Sequence, residues 1–166
     1  MALAGIPPWR DQVIELFHGT IDVHVPDILQ NVDETVGGLF KDFGRGFYTT
    51  TRLDKAREWA NVKALRRGHA PAVLRFDVSR NDLAQLDFLF FIRGDPAAVD
   101  YWSFVQYCRT IGRDHHRLHT PWYDLVVGPV TGTWKRQTIL PDTDQVSFHT
   151  PHAAAVLNAS AKARVI

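Results

Sequence analysis

The hydrophobic and polar positions change their period several times along the chain, and each change marks an element. Val13 to Thr20, "VIELFHGT", carries β-branched and aromatic residues up to a glycine and predicts a first strand. "VPDILQNV" predicts a short helix with Pro26 in its first turn, where the missing N–H costs nothing. "DETVGGLFKDFG" has no clear period and predicts a loop, and "RGFYTT" predicts a second strand. In "TRLDKAREWANVKALRRG", Leu53, Ala56, Trp59 or Ala60, and Lys63 or Ala64 recur at helical spacing. Thr51 is placed to cap that helix, Asp54 follows three residues later as in a capping box, and Gly68 is its stop. "AVLRFDV" alternates as a strand does. "AAVDYWSFVQYCRTIG" predicts a second long helix, offering Val99, Trp102, Gln106 or Tyr107, and Thr110 to its faces. "YDLVVGPV" and "QVSFHT" predict two further strands, and "PHAAAVLNAS" a closing helix. "LDFLFFIRG" is the most apolar run, with a length that suits a buried strand or short core segment. Strands outnumber helices, and several follow one another without a helical crossover. The expected fold class is therefore α+β with mixed or antiparallel sheets.

Composition narrows the setting. A chain of 166 residues fits one domain able to bury about two thirds of its unfolded surface. Its 45% hydrophobic and 22% charged residues are ordinary for a soluble globular protein. A net charge of +1 provides no global field toward nucleic acid or anionic membrane. Cys108 stands alone, which excludes an internal disulfide and points to a reducing compartment. "MALAGIPPWR" has too short an apolar part for a secretory signal and is broken by Pro7 and Pro8. No run approaches the roughly 18 apolar residues of a spanning helix, so no membrane partner is expected and the cytoplasm is the expected location. Residues 1–12 read as an N-terminal extension, 13–160 as the domain and 161–166 as a C-terminal tail.

Several short patterns invite chemistry and can be weighed singly. Asp42-Phe43-Gly44 matches a kinase tripeptide, but no catalytic loop or strand lysine accompanies it. "HHRLH" sets His115 and His119 at the spacing of a helical zinc pair. No glutamate lies between them, so a solvated turn is the expected role and no metal site is assigned. Cys108 falls in an apolar helical pattern and reads as a small buried hydrophobe. Lys63, Arg66, Arg67 and His69 form one basic patch; Arg109, Arg113, His115, His116 and Arg117 form another. Cations at helix ends account for much of both. Trp122 and Tyr123 close by leave an acidic partner or nucleic acid open. In "FHGT", His18 and Gly19 can present an imidazole and a bare backbone amide to one ligand, or serve as a core histidine before a turn glycine. "DFGRGFYTT" sets Gly44 and Gly46 around Arg45, ahead of Phe47, Tyr48 and three threonines. That reads either as a tight turn delivering a core strand or as backbone approaching a ligand, with an aromatic ring as one wall.

Taken together, "LFHGT", "DFGRGFYTT" with its helix, "YDLVVGPV" and "QVSFHT" resemble a bacterial family of uncharacterised domains related to ADP-ribosyltransferases. The pattern spans roughly Val13 to Leu157. Its "HG(T/S)" and "GxGFY" elements also resemble the His–Tyr–Glu group, which includes the poly-ADP-ribose polymerases and diphtheria-like toxins. The resemblance implies split antiparallel sheets with flanking helices around an NAD cleft. It implies that His18 contacts the adenosine ribose and that the Gly19 backbone pairs with the nicotinamide carboxamide. Tyr48 and Trp59 would sandwich the pyridinium, gaining stacking and cation–π attraction. Thr20, Arg45, Gly46 and Phe47 complete the implied cofactor contacts, with Arg45 meeting the pyrophosphate or else pairing with Asp42.

Two positions depart from that pattern. Ala56 stands where relatives keep a serine for the carboxamide, and Gln145 where they keep the catalytic glutamate. Asp144 cannot replace it, because alternate strand residues point to opposite faces. Gln145 can accept a hydrogen bond from the nicotinamide-ribose 2′-OH, or merely pair with backbone. It lacks a charge whose stabilising effect is typically about 3 kcal/mol. The resemblance implies an NAD-dependent mono-ADP-ribosyltransferase with His18, Tyr48 and Gln145 as its catalytic set, in one form the toxin of a toxin–antitoxin pair with a cognate antitoxin. Its acceptor would be a protein, a nucleic acid or a small molecule. The alternatives are an NAD glycohydrolase and an inactive module that binds NAD, ADP-ribose or a protein.

Overall fold

The computed structural model describes residues 12–92, 99–110 and 123–165. The readings of "HHRLH", of Arg113 to Arg117, of Trp122 and of residues 1–11 lie outside those residues. Strands β1 (Val13–Ile21), β3 (Pro71–Ser79) and β7 (Ala161–Arg164) form an antiparallel sheet in the order β1-β3-β7. Strands β2 (Phe47–Thr49), β6 (Thr138–Phe148), β5 (Leu125–Thr133) and β4 (Phe88–Phe90) form a second sheet in that order. Its pairings are antiparallel except for β4 with β5, which is parallel. Helices α1 (Val25–Gln30), α2 (Leu53–Arg67), α3 (Arg80–Leu83), α4 (Val99–Thr110) and α5 (Pro151–Ala159) complete an α+β fold. No helix among the described residues is long and apolar enough to cross a membrane.

Strand alternation decides which helix meets which face. On β1, Leu16 turns toward the main core with Phe47, Leu74, Phe76, Phe148 and Leu157. Phe17 turns the other way and packs with Val73 against Ala56 and Ala60 of α2. Those alanines and Ala64 recur every fourth residue, so α2 presents a stripe without bulk and lies close on the sheet. Helix α4 buries Tyr101, Trp102, Val105 and Cys108, with Phe43 and Val126 completing a second cluster around its aromatic residues. Cys108 is fully sealed, as a small hydrophobe would be.

Five local expectations give way to longer-range physics. Helix α2 starts at Leu53 with no side-chain cap, because Thr51 donates to the Asp144 carboxylate at 2.5 Å and Asp54 pairs with Arg52. The charged acceptor fixes the Thr51 hydroxyl on Asp144, and the N-cap position falls on Arg52, whose side chain has no acceptor to offer the first amides. Helix α4 leaves Val99 73% exposed and buries Tyr101 instead, packed on Phe43. In the apolar run only Leu86 is sealed. Phe88 and Phe90 are 55% and 56% exposed because β4 is an edge strand whose alternate residues, Leu89 and Phe91, face the core. The second strand contracts to Phe47–Thr49, with Arg45 and Gly46 in a bend. Residues 161–164, expected within a tail, pair with the outer edge of β3, which would otherwise present unpaired backbone.

Candidate functional site

Among the described residues one antiparallel bridge, Phe17 to Thr50, connects the two sheets. Phe17 N–H donates to Thr50 O at 2.8 Å, and Thr50 N–H donates back to Phe17 O at 2.9 Å. Backbone groups of residues two apart on a strand point the same way, so Gly19 and Tyr48 turn theirs toward one another. Gly19 does not use its own on β3, since its partner there, Val73, gives its carbonyl to Val165 N–H. Continued pairing would set Gly19 against Tyr48, yet the strands part after the one bridge. The result is a slot edged by two stretches of main chain. Two side chains reach it. His18 Nδ1 donates to Tyr48 O at 2.6 Å, and Lys63 Nζ donates to Gly19 O at 2.5 Å.

Gly19 is required for packing before any ligand is considered. A β-carbon there would lie 2.1 Å from Ala56 O and 3.0 Å from Ala60 N, both backbone atoms of α2. Ala56 is fully buried in that contact.

His18 is half-buried, with its ring stacked on Phe47 at a centroid distance of 4.3 Å. Because Tyr48 O can only accept, Nδ1 carries the hydrogen and Nε2 keeps its lone pair. Desolvation, then the charge of Lys63, lowers the pKa of His18 to about 3 against the opposing bond to Tyr48 O. Lys63 is lowered to about 8, since its ammonium is drawn from water over the Gly19 carbonyl and the charges of Lys41 and Arg67 add to the effect. The unfolded chain takes up a proton on His18 near its ordinary 6.5, whereas the fold resists it. Stability is therefore complete above that value and falls as pH drops from 6.5 toward 3. His18→Gln is expected to flatten this acid limb in melting curves, and an unchanged limb would assign it to other groups.

Tyr48 closes its own turn. Its hydroxyl donates to Gly44 O at 2.6 Å and accepts from Phe43 N–H at 3.1 Å, while the ring meets the edge of His149. Burial raises its pKa well above the ordinary value, so the phenol stays neutral. A β-carbon on Gly46 would come within 2.6 Å of both His149 Nδ1 and Phe148 O. The glycines of "DFGRGFYTT" thus serve a tight turn against β6, and the strand they deliver borders the slot.

The other expected contacts divide. Thr20 is sealed with its backbone turned to β3, away from the slot. Phe47 faces the main core and supports His18 from beneath. Arg45 offers its carbonyl to His149 Nδ1 at 2.7 Å. It does not hold Asp42, which is paired with Arg109. Trp59 is half-buried on α2, between alanines that lie on Phe17. Paired Phe17 and Thr50 share a face of the strand layer, and Tyr48 shares that face with Thr50. Tyr48 itself packs in the cluster of α4, with Phe43, Tyr101 and Trp102, and Trp59 makes no ring contact with it among the described residues.

Gln145 is 5% exposed and shares its strand face with Ser147, the partner of Tyr48. The structure thus joins Tyr48 to Gln145 across one face and to His18 through main chain, while the imidazole itself points to the opposite face. Gln145 Nε2 donates to Asp42 Oδ2 at 2.8 Å and to Pro129 O at 2.9 Å. Asp42 also accepts from Arg109 Nε at 2.7 Å, Arg109 Nη2 at 2.5 Å and Thr131 N–H at 2.9 Å. Backbone pairing of Gln145 is real, but a buried carboxylate shares it. Asp42 and Arg109 have no local signal as members of this site. Asp144 takes no part in this network and is held by Thr50 and Thr51. A cavity of about 270 Å³ opens beside Asp144, Thr51 and Phe90, and a shallower trough of about 670 Å³ lies by Val13, Glu15 and Arg80. Neither is lined by His18, Tyr48 or Gln145. No cluster of possible metal ligands occurs among the described residues.

The family described as Protein of unknown function (DUF3990) matches residues 14–139. The chain belongs to that family. The DUF3990 match runs from β1 into β6 and takes in His18, Gly19, Asp42, Tyr48, Trp59 and Arg109, while Gln145 lies just beyond it. Searches of curated proteins and of solved structures each found no match.

Proposed function

We propose that this DUF3990 chain binds NAD at the slot between Gly19 and Tyr48 and transfers its ADP-ribose to an acceptor. The observation that carries the reading is the parting of β1 and β2, which leaves the backbone groups of Gly19 facing those of Tyr48 beside a neutral histidine. A primary carboxamide has two N–H donors and one acceptor oxygen. The N–H and C=O of one residue match it, with Lys63 giving up the carbonyl when the ligand enters. In this reading Tyr48 and Trp59 would be the rings that cover the pyridinium.

In the reaction the bond between the ribose C1′ and the nicotinamide nitrogen breaks, and its electron pair leaves with neutral nicotinamide. An oxygen or nitrogen nucleophile of the acceptor then bonds to C1′ and loses its proton to solvent. Gln145 Oε1 can accept from the ribose 2′-OH and so orient the sugar. A neutral amide supplies less stabilisation to a cationic transition state than a carboxylate does, and slow turnover follows. Protein, nucleic acid and small molecules remain the acceptor classes, with water as acceptor giving NAD hydrolysis. A toxin role with a cognate antitoxin and a cytoplasmic setting belong to the same reading. A second reading, an NAD-binding module without turnover, is favoured by the neutral and nearly sealed Gln145.

Nicotinamide release from NAD tests both. Wild-type protein is expected to release it, and Tyr48→Ala or His18→Ala to lower the rate by more than about tenfold while the circular dichroism spectrum is retained. Binding by calorimetry without release would favour the module; no binding would reject the site. Label from NAD entering macromolecules of a lysate separates transfer from hydrolysis.

A further inference from the structure

Gln145 is pinned by two groups that can only accept. The Asp42 carboxylate and the carbonyl of Pro129 both face Nε2, so the opposite orientation of the amide would set Oε1 against two oxygens. Oε1 takes no hydrogen bond among the described residues and is not one of the sealed, unbonded side-chain atoms. Asp42 is itself immobilised, with Oδ1 held by the Arg109 guanidinium and Oδ2 by Thr131 N–H.

We infer that Asp42 is a positioning residue, fixing the Gln145 amide with its NH2 inward and Oε1 left to accept from substrate. The catalytic part of this inference rests on the reading of NAD turnover above. The arrangement also explains why residue 145 is neutral. A glutamate there would bring a second carboxylate to a site where Asp42 Oδ2 already stands 2.8 Å away. In this chain the carboxylate and the amide form a pair, with the charge on the loop before β2 and the hydrogen-bonding oxygen on β6.

Two measurements test it, one independent of activity. In Gln145→Glu, two adjacent carboxyl groups cannot both ionise, so one holds its proton well above the ordinary carboxylate range. That proton is bound in the fold and released on unfolding, so stability is intact below the unfolded value near about 4.3 and lost as pH rises through the raised one. The melting temperature of Gln145→Glu is therefore expected to fall, relative to wild type, from about pH 5 to about pH 8. Adding Asp42→Asn should remove that slope. Equal slopes in wild type and Gln145→Glu would overturn the pairing.

The second measurement is nicotinamide release by Asp42→Asn. Its kcat is expected to fall about tenfold or more while KM for NAD stays within about threefold, because an amide free to turn misplaces its oxygen only after substrate has bound. An unchanged kcat, or a loss confined to KM, would overturn the positioning role. Wild-type protein that releases no nicotinamide would sink the reading of function and the catalytic use of Asp42 together, and the melting slopes would still decide whether the two side chains are coupled.

Discussion

Gly19→Ala is expected to destabilise the fold by about 3 kcal/mol or more, roughly 6–12 °C of melting temperature in a chain of this size. The added methyl would meet Ala56 O at 2.1 Å and Ala60 N at 3.0 Å. Both atoms belong to the backbone of α2, so no rotamer change relieves the clash. Relief requires α2 to lift from β1, and lifting it uncovers Phe17, Val73 and the alanine stripe, which form one buried cluster. Position 19 also borders the slot, so a glycine needed only for the proposed ligand contact could be replaced with its melting temperature kept. The packing account expects the thermal loss with no ligand present. A shift under about 2 °C by differential scanning calorimetry would reject it, since a clash of that depth cannot be absorbed by small adjustments.

Much of the fold was legible in the sequence because the signals that set it are local. Strand β1 is rich in β-branched and aromatic residues, β3 alternates over most of its length, Gly68 ends α2 in the left-handed conformation, and Pro151 opens α5. His18, Gly19 and Tyr48 were candidates through the order and spacing of the short motifs that carry the resemblance. What brings them together was not, because the Phe17–Thr50 bridge forms between distant segments and nothing near either residue announces where the strands must part. Trp59 and Ala60 were equivalent by period. Packing chose the alanines, since only small side chains let α2 approach Gly19 so closely. Thr51 looked like a helix cap, but its amide and hydroxyl donate to Asp144, 93 residues on, and the N-cap falls on Arg52. The network around Gln145 was the least legible part. Asp42 and Arg109 are 67 residues apart and Asp42 and Gln145 are 103 apart, and neither spacing carries a periodic or motif signal.

Asp42→Ala is expected to cost about 3–5 kcal/mol, as removal of one partner from a buried ion pair usually does. Asp42 is 4% exposed and accepts four hydrogen bonds, two from Arg109 and one each from Thr131 N–H and Gln145. Alanine would strip those donors of this acceptor, although Gln145 Nε2 keeps its bond to Pro129 O. Arg109 keeps 31% of its side-chain surface, so water can recover part of its solvation and the loss should fall toward the lower end of the range. The Thr131 amide has no such recourse. The same reasoning fixes the sign of the double mutant. Once Asp42 is gone, removing Arg109 as well deletes a stranded charge, so Asp42→Ala with Arg109→Ala should cost less than the two single changes added. Urea unfolding at constant m-value measures all three. Strict additivity would show that the pair does not act as one unit, and α4 would then be attached to the second sheet by its aromatic packing and the hydrogen bonds of the Tyr101 hydroxyl to Pro129 O and Thr131 Oγ1.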